Sequence, residues 1–214
     1  MPRRLFLVSI LIGLVGCASI GAPTPEERTA VAASEKAIVL LRVQCTLENR
    51  QPCEPFRHVV GDDNISLGLG SFKTGGAPER LASRFLSPES RKGGWTFLIL
   101  PQGTYYLAFY PPRRTDVFTY ARGIKDAPRW RIDIPPDARI AYVGTMRLSG
   151  ASDALLFGGS IMRSIRADEM SVANDEELAR ALVKGELPGV GEVRTVLMRL
   201  QEGPTILHAP LPAR

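Results

Sequence analysis

From Ala37 to Leu200 the chain is a succession of short runs rich in β-branched and aromatic residues, broken repeatedly by proline and glycine. This punctuation limits the fold more than any other feature. Pro101-Gln102-Gly103, Pro111-Pro112 and Pro135-Pro136 interrupt the runs and cannot continue them, because proline has no N–H to give to a strand ladder. The strand segments read between the breaks are Ala37–Leu47, Asn64–Leu69, Trp95–Leu100, Thr104–Tyr110, Val117–Tyr120, Trp130–Ile134, Ile140–Leu148, Ser160–Arg166 and Val193–Leu200. With 20 Gly and 17 Pro in 214 residues, the chain stays below the level of low-complexity sequences. Its 44% apolar and 23% charged content excludes a mainly disordered chain and a many-helix membrane protein. Short strands at this spacing predict a mainly-β fold, an antiparallel β-sandwich, with residues 37–214 as one domain.

The first of these runs starts as an unbroken apolar stretch, Ala37 to Leu41. It then alternates, with Val43, Cys45 and Leu47 on one face, which is the pattern of a strand with a buried start. Two helices are expected beside the strands. The first is a short N-terminal one, because Thr24 suits an N-cap, Pro25 the first helical position and Glu27 the third. Residues 17–36 therefore read as a tether and a short spacing helix. The second lies near 175–184, with Asn174 as N-cap, Leu178, Ala181 and Leu182 on one face, and Gly185 as the stop. The acidic residues from Asp168 to Glu177 then offset the helix macrodipole, by about 0.3–1 kcal/mol each. They lack the alternating ligand spacing of a calcium loop.

The N-terminus carries the sharpest signal. Arg3 and Arg4 precede an apolar run of about a dozen residues, short of the ~20 that span a bilayer, so residues 1–16 read as a signal peptide. The run ends in Leu14-Val15-Gly16-Cys17, which resembles the lipobox of bacterial lipoproteins. The resemblance implies that the Cys17 thiol receives a diacylglycerol and that the peptide before it is removed; the alternative is an ordinary signal peptide in which Cys17 is incidental. Two or three acyl chains at about 0.8 kcal/mol per buried methylene make release negligible. Ala18 follows the cysteine where the family's inner-membrane retention signal has Asp. The implied location is the cell envelope, lipid-anchored, with the outer membrane facing the periplasm favoured over the inner.

A second resemblance lies in Leu100-Pro101-Gln102-Gly103-Thr104-Tyr105, which is similar to the turn and strand of prealbumin-like and carboxypeptidase-regulatory-like β-sandwich domains. It implies that the chain reverses at the Pro-x-Gly turn and that Tyr105 begins a strand against the core. Ile134 to Thr145 is similar to a segment of envelope lipoproteins carrying such a domain. Fold alone does not determine function.

Catalytic and metal motifs are sparse. His58 and His208 lie in Pro-flanked stretches without ligand spacing, and Gly158-Gly159-Ser160 is not a nucleophile elbow. The Gly68–Gly76 run lacks a Gly directly before Lys73-Thr74 and reads as a surface loop, not a phosphate loop. Asn64-Ile65-Ser66 fits a glycosylation acceptor, a short pattern that recurs by chance. No catalytic residue, cofactor or metal is assigned. The net charge of +5 falls to about +3 without Arg3 and Arg4, too little for nucleic-acid binding without a clustered patch. The densest basic stretch is Arg113-Arg114 with Arg122, Lys125, Arg129 and Arg131, interleaved with Tyr110, Phe118, Tyr120 and Trp130. It reads as a solvated sheet face, with lipid headgroups or glycans as the second reading and nucleic acid as the third.

Cys45 and Cys53 remain once Cys17 is lipidated. In an oxidising compartment they are expected to form a structural disulfide that fastens the first strand to its return loop, with roughly 2.5 kcal/mol of stabilisation. The alternative keeps Cys45 buried against the core and Cys53 as a free thiol. The functional expectation is a membrane-anchored, non-catalytic binding or structural domain that meets an envelope protein, glycan or lipid surface. The alternative is a lipid-anchored hydrolase with a spatially assembled site. Cys17→Ser tests the anchor: the substituted chain should accumulate as unprocessed precursor and take up no label from a palmitate analogue. Label retained on that variant would sink the lipoprotein reading.

Overall fold

Ala37, Ile38, Val39, Leu40 and Leu41 have no exposed surface at all. A strand with successive side chains on opposite faces can bury every residue only if both faces are covered. That requirement sets the architecture. The structure is a computed structural model and describes residues 20–47, 52–53, 65–66, 68–72, 78–80, 84–110, 129–157 and 160–201.

The strands in chain order are β1 Lys36–Leu47, β2 Pro52–Cys53, β3 Ile65–Ser66, β4 Gly68–Phe72, β5 Pro78–Arg80 and β6 Trp95–Pro101. They continue with β7 Gly103–Tyr110, β8 Arg129–Ile134, β9 Ile140–Phe157, β10 Ser160–Ala173, β11 Val193–Thr195 and β12 Arg199–Leu200. The helices are α1 Pro25–Ala32, α2 Pro88–Lys92 and α3 Glu176–Glu186. The fold is mainly β, with two sheets and these helices. One sheet has seven strands centred on β1 and β9, and the other runs β12-β8-β7-β4-β5.

In the larger sheet β1 pairs antiparallel with β6 along Lys36–Arg42 and with β2 at Cys45–Thr46. Its other edge pairs parallel with β9 from Ile38 to Leu47. The outer edge of β9 is shared in the same way: β11 pairs with Ile140–Tyr142 and β10 with Thr145–Phe157. Between those two partners, α3 carries the chain back from the end of β10 to the start of β11.

One apolar core joins the two sheets. Ala37, Val39, Leu41 and Val43 of β1, Leu98 of β6 and Ala141, Val143 and Met146 of β9 pack with Tyr105 and Leu107 of β7 and Trp130 and Ile132 of β8. A second core lies on the opposite face of the seven-stranded sheet. There Ile38, Leu40, Phe97 and Tyr142 pack under Val31 of α1 and Ala179 and Val183 of α3. Full burial of each such aliphatic side chain contributes roughly 1.5–3 kcal/mol.

The expected N-terminal helix forms as read: Thr24 and Glu27 complete a reciprocal capping box, with Pro25 in the first turn. It also packs against the strands. Val31 is buried, and Arg84 holds the Glu27 carboxylate at 2.6 Å. Burial pushes the Glu27 carboxyl up, but the bonds from Arg84 and the Thr24 backbone together hold it below its ordinary value.

Several expectations need correction. The larger sheet is mixed and not purely antiparallel, because β9 lies parallel to both β1 and β11, and β3 parallel to β10. Gly70–Phe72, read as part of a surface loop, belongs to strand β4. The N-cap of α3 is Asp175 and not Asn174, whose Oδ1 instead accepts from Glu176 N at 3.2 Å. Gly185 lies inside that helix, which ends at Glu186 with Leu187 as C-cap. The strand expected over Val193–Leu200 is two short strands in different sheets. Helix α2, capped by Ser87 and Ser90, went unread.

The expected setting of Cys53 is also corrected. Cys53 does not sit in a return loop: it lies in β2, opposite Cys45 in antiparallel register, so a backbone ladder already closes this segment. No disulfide joins two residues whose side chains are described. Cys45 is buried and disulfide-bonded.

Two glycines test the backbone argument. Gly94 has φ of +80°, and a Cβ there would lie 2.0 Å from the carbonyl oxygen of Val43. Gly185 sits in helix α3 with nothing within 4 Å of its Cβ position. Gly94→Ala should therefore destabilise the fold by about 3 kcal/mol or more. Gly185→Ala should stabilise it by about 0.5 kcal/mol. Opposite shifts of the denaturant midpoint check both; shifts of the same sign would contradict the geometry.

Candidate binding cleft

The helix-side face of the larger sheet changes character partway along β1. Ile38 and Leu40 on that face are buried beneath α1 and α3, but Arg42, Gln44 and Thr46 continue the same face with charge and hydrogen-bonding groups. On β9 the same change runs from Ile140 and Tyr142 to Thr145, Arg147 and Ser149. A β-bulge sits at the change: Leu40 pairs with Tyr142 but Arg42 with Thr145, so two steps on β1 span three on β9. The extra residue keeps Tyr142 and Thr145 on one face. Gly144 within the bulge has φ of +109°, and a Cβ there would meet Val172 Cγ1 at 2.7 Å.

The bulge brings two buried hydroxyls together, with Tyr142 Oη and Thr145 Oγ1 at 2.9 Å. Tyr142 Oη also accepts from the Asp175 backbone N–H at 3.1 Å, which ties the start of α3 to the sheet. Burial pushes the Tyr142 hydroxyl above its ordinary pKa of 10.0, and the nearby Asp175 carboxylate adds to that, against the lowering effect of the hydrogen bonds from Thr145 and the Asp175 backbone.

Asp175 does not cap its own helix with its side chain. Its carboxylate lies 3.5 Å from Arg42 Nη1 and 3.5 Å from Arg147 Nη2. Arg42 is fixed from several sides: its Nε donates to the Gly93 carbonyl at 3.1 Å, and its guanidinium lies 5.5 Å from the Trp95 ring centroid. Trp95 in turn lies 6.0 Å from the Tyr142 ring. Gln44, with its amide oxygen facing Arg42, accepts from the same guanidinium at 3.2 Å. Arg147 is half exposed, and Lys92 stands exposed in the last turn of α2.

A cavity of about 330 Å³ lies between β1, β9 and the end of α2, lined among others by Arg42, Gln44, Lys92, Gly93 and Arg147. Three cationic side chains from three elements thus line the cavity, and the Asp175 carboxylate stands beside two of them, Arg42 and Arg147. A second concavity of about 360 Å³ at the end of α3 combines Arg180 and Lys184 with Glu192 around an apolar floor of Val183 and Leu187. Its charges come from exposed surface positions, and Arg180 is already paired with Glu176.

Of the residues assigned from the sequence, Cys45 lines the first of these cavities. Cys17, His58, His208, Asn64, Arg113, Arg114, Arg122 and Lys125 lie outside the described residues, as does the strand expected over Val117–Tyr120. Of the dense basic stretch, Arg131 is described and is occupied by Asp133 at 3.0 Å. Asp133 also accepts from Thr104 Oγ1 at 2.7 Å. The sequence reading missed Arg42, Lys92 and Arg147, which are far apart in the chain. One signal was present: Arg42 is the charge that ends the buried run of β1.

Comparison of the chain with protein-family models, curated proteins and solved structures gives no match.

Tyr142→Phe tests the joint beneath the cleft. Loss of the hydroxyl strands Thr145 Oγ1 and the Asp175 N–H and should cost about 1–2 kcal/mol at neutral pH. Because the folded-state pKa of Tyr142 is raised, its contribution is complete below pH 10 and is lost as pH rises through the folded value. The wild-type chain should lose stability above pH 10 more steeply than the variant in alkaline denaturant titrations. Parallel curves would refute the assignment.

Proposed function

We propose that the chain is a lipid-anchored envelope lipoprotein whose mainly-β domain is a non-catalytic binding module. The lipobox-like Leu14-Val15-Gly16-Cys17 supports the anchor. The Pro101-Gln102-Gly103-Thr104-Tyr105 turn supports a sandwich of the prealbumin-like kind for the two packed sheets. Gly103 has φ of +128° there, and Tyr105, 2% exposed, donates its hydroxyl to the Pro101 carbonyl at 2.8 Å. One observation carries the binding reading. The sheet face covered by helices at one end opens at the other into a cavity bordered by Arg42, Lys92 and Arg147. A fixed cationic recess on a tethered domain suits capture of a ligand at the membrane surface. The outer membrane, facing the periplasm, is the preferred site, with an envelope protein, glycan or lipid as the class of partner.

Envelope fractionation tests the anchored reading. The full chain should sediment with outer membranes, resist a high-salt wash and come off in detergent. Recovery in the salt-washed soluble fraction would overturn it.

A further inference from the structure

We propose that the cleft between β1, β9 and α2 binds a phosphate group, with Arg42 as the fixed floor and Lys92 and Arg147 as the groups that close on the anion. The proposal rests on the binding-module reading and adds the ligand chemistry.

Charge is the first argument. Three cations line the recess and one carboxylate, Asp175, stands beside two of them, so among the described residues the site has an uncompensated positive charge. A bound dianion neutralises that excess, and charge-assisted hydrogen bonds are roughly twice as strong as neutral ones. Division of labour is the second. Arg42, with 18% of its side chain exposed, is held by Gly93, Asp175, Gln44 and the Trp95 ring, so its orientation is set before any ligand arrives. Arg147 meets Asp175 only at 3.5 Å, and its side chain is 54% exposed. Among the described residues no ion pair engages Lys92. These two side chains retain donors for a ligand.

Shape is the third argument. The cations come from three elements, Arg42 and Arg147 from the paired strands β1 and β9 and Lys92 from the end of α2, and line one cavity. A planar carboxylate offers two oxygens in one plane, whereas a tetrahedral phosphate offers oxygens in three directions. A volume of about 330 Å³ also leaves room for a small polar substituent on the phosphate, at the lower end of ordinary ligand pockets. The phosphate can come from free phosphate or from a phospholipid headgroup of the membrane, and the chemistry of the cleft is the same for both.

The test uses the full chain in neutral-detergent micelles, with intrinsic tryptophan fluorescence as the readout, since Trp95 lies under Arg42. One arm titrates inorganic phosphate; the other titrates phosphatidylglycerol into the micelles, with phosphatidylcholine as its control. Saturable binding in the first arm identifies free phosphate. Binding in the second arm alone, with phosphatidylcholine silent, identifies a lipid headgroup. In either case Lys92→Gln combined with Arg147→Gln should weaken binding at least tenfold. Lys184→Gln combined with Arg194→Gln, neither of which lines the cleft, should leave it unchanged. Both altered cleft residues are exposed, so retained thermal stability separates lost binding from lost folding. No saturable response in either arm, or equal affinity in the cleft variant, overturns the proposal. The titration needs only the folded cleft, so failure of the anchor, read from palmitate labelling, remains distinct from failure of phosphate binding.

Discussion

The complete burial of β1 on both faces is the constraint on which the rest of the structure depends. A strand cannot bury Ala37 through Leu41 unless one sheet covers one face and further elements cover the other. The smaller sheet supplies the first cover through Tyr105, Leu107 and Ile132, and α1 and α3 supply the second through Val31, Ala179 and Val183. The parallel β1–β9 pairing belongs to the same solution. Both central strands run between two apolar layers, so β9 repeats the two-sided burial of β1 through Ile140–Val143.

Where that double cover ends, the cleft begins. Helix α3 starts at Glu176, directly beyond the contacts that Asp175 makes with Tyr142, Arg42 and Arg147. Past this point nothing apolar among the described residues covers the helix-side face, and its residues change to Arg42, Gln44 and Arg147. The bulge at Gly144 is the mechanical joint. It changes the outer neighbour of β9 from β11 to β10 and keeps Tyr142 beside Thr145, so a buried tyrosine can anchor the helix start. The same local geometry thus completes the apolar layer and holds the floor of the cleft.

Charge density along the chain does not locate the cleft. The basic residues closest in sequence include Arg131, which the structure spends on Asp133, its neighbour on the same face of β8. The cations that share a cavity are 42, 92 and 147, brought together by a parallel strand pairing and by the end of a five-residue helix. Linear spacing contains neither contact. Asp175 was misread for a related reason: a carboxylate at a helix start is a good macrodipole partner, and only the position of Arg42 and Arg147 shows which interaction its side chain takes.

What the sequence by itself determined was local. The Thr24–Glu27 capping box, the strand cores around Trp95–Leu100 and Trp130–Ile134, the turn at Gly103 and the buried start of β1 all follow from interactions within a few residues. Periodicity, turn chemistry and capping act over that range, so they can be read from neighbours in the chain. The tertiary structure alone decided that β1 and β9 run parallel, that the Pro101–Gly103 turn passes the chain from one sheet to the other, and that Cys53 returns to lie opposite Cys45. It also decided which arginines meet. Apolar residues fit either an antiparallel or a parallel neighbour equally well. The choice is made by the need to cover both faces of the same strand at once, a condition that exists only when the whole chain is packed.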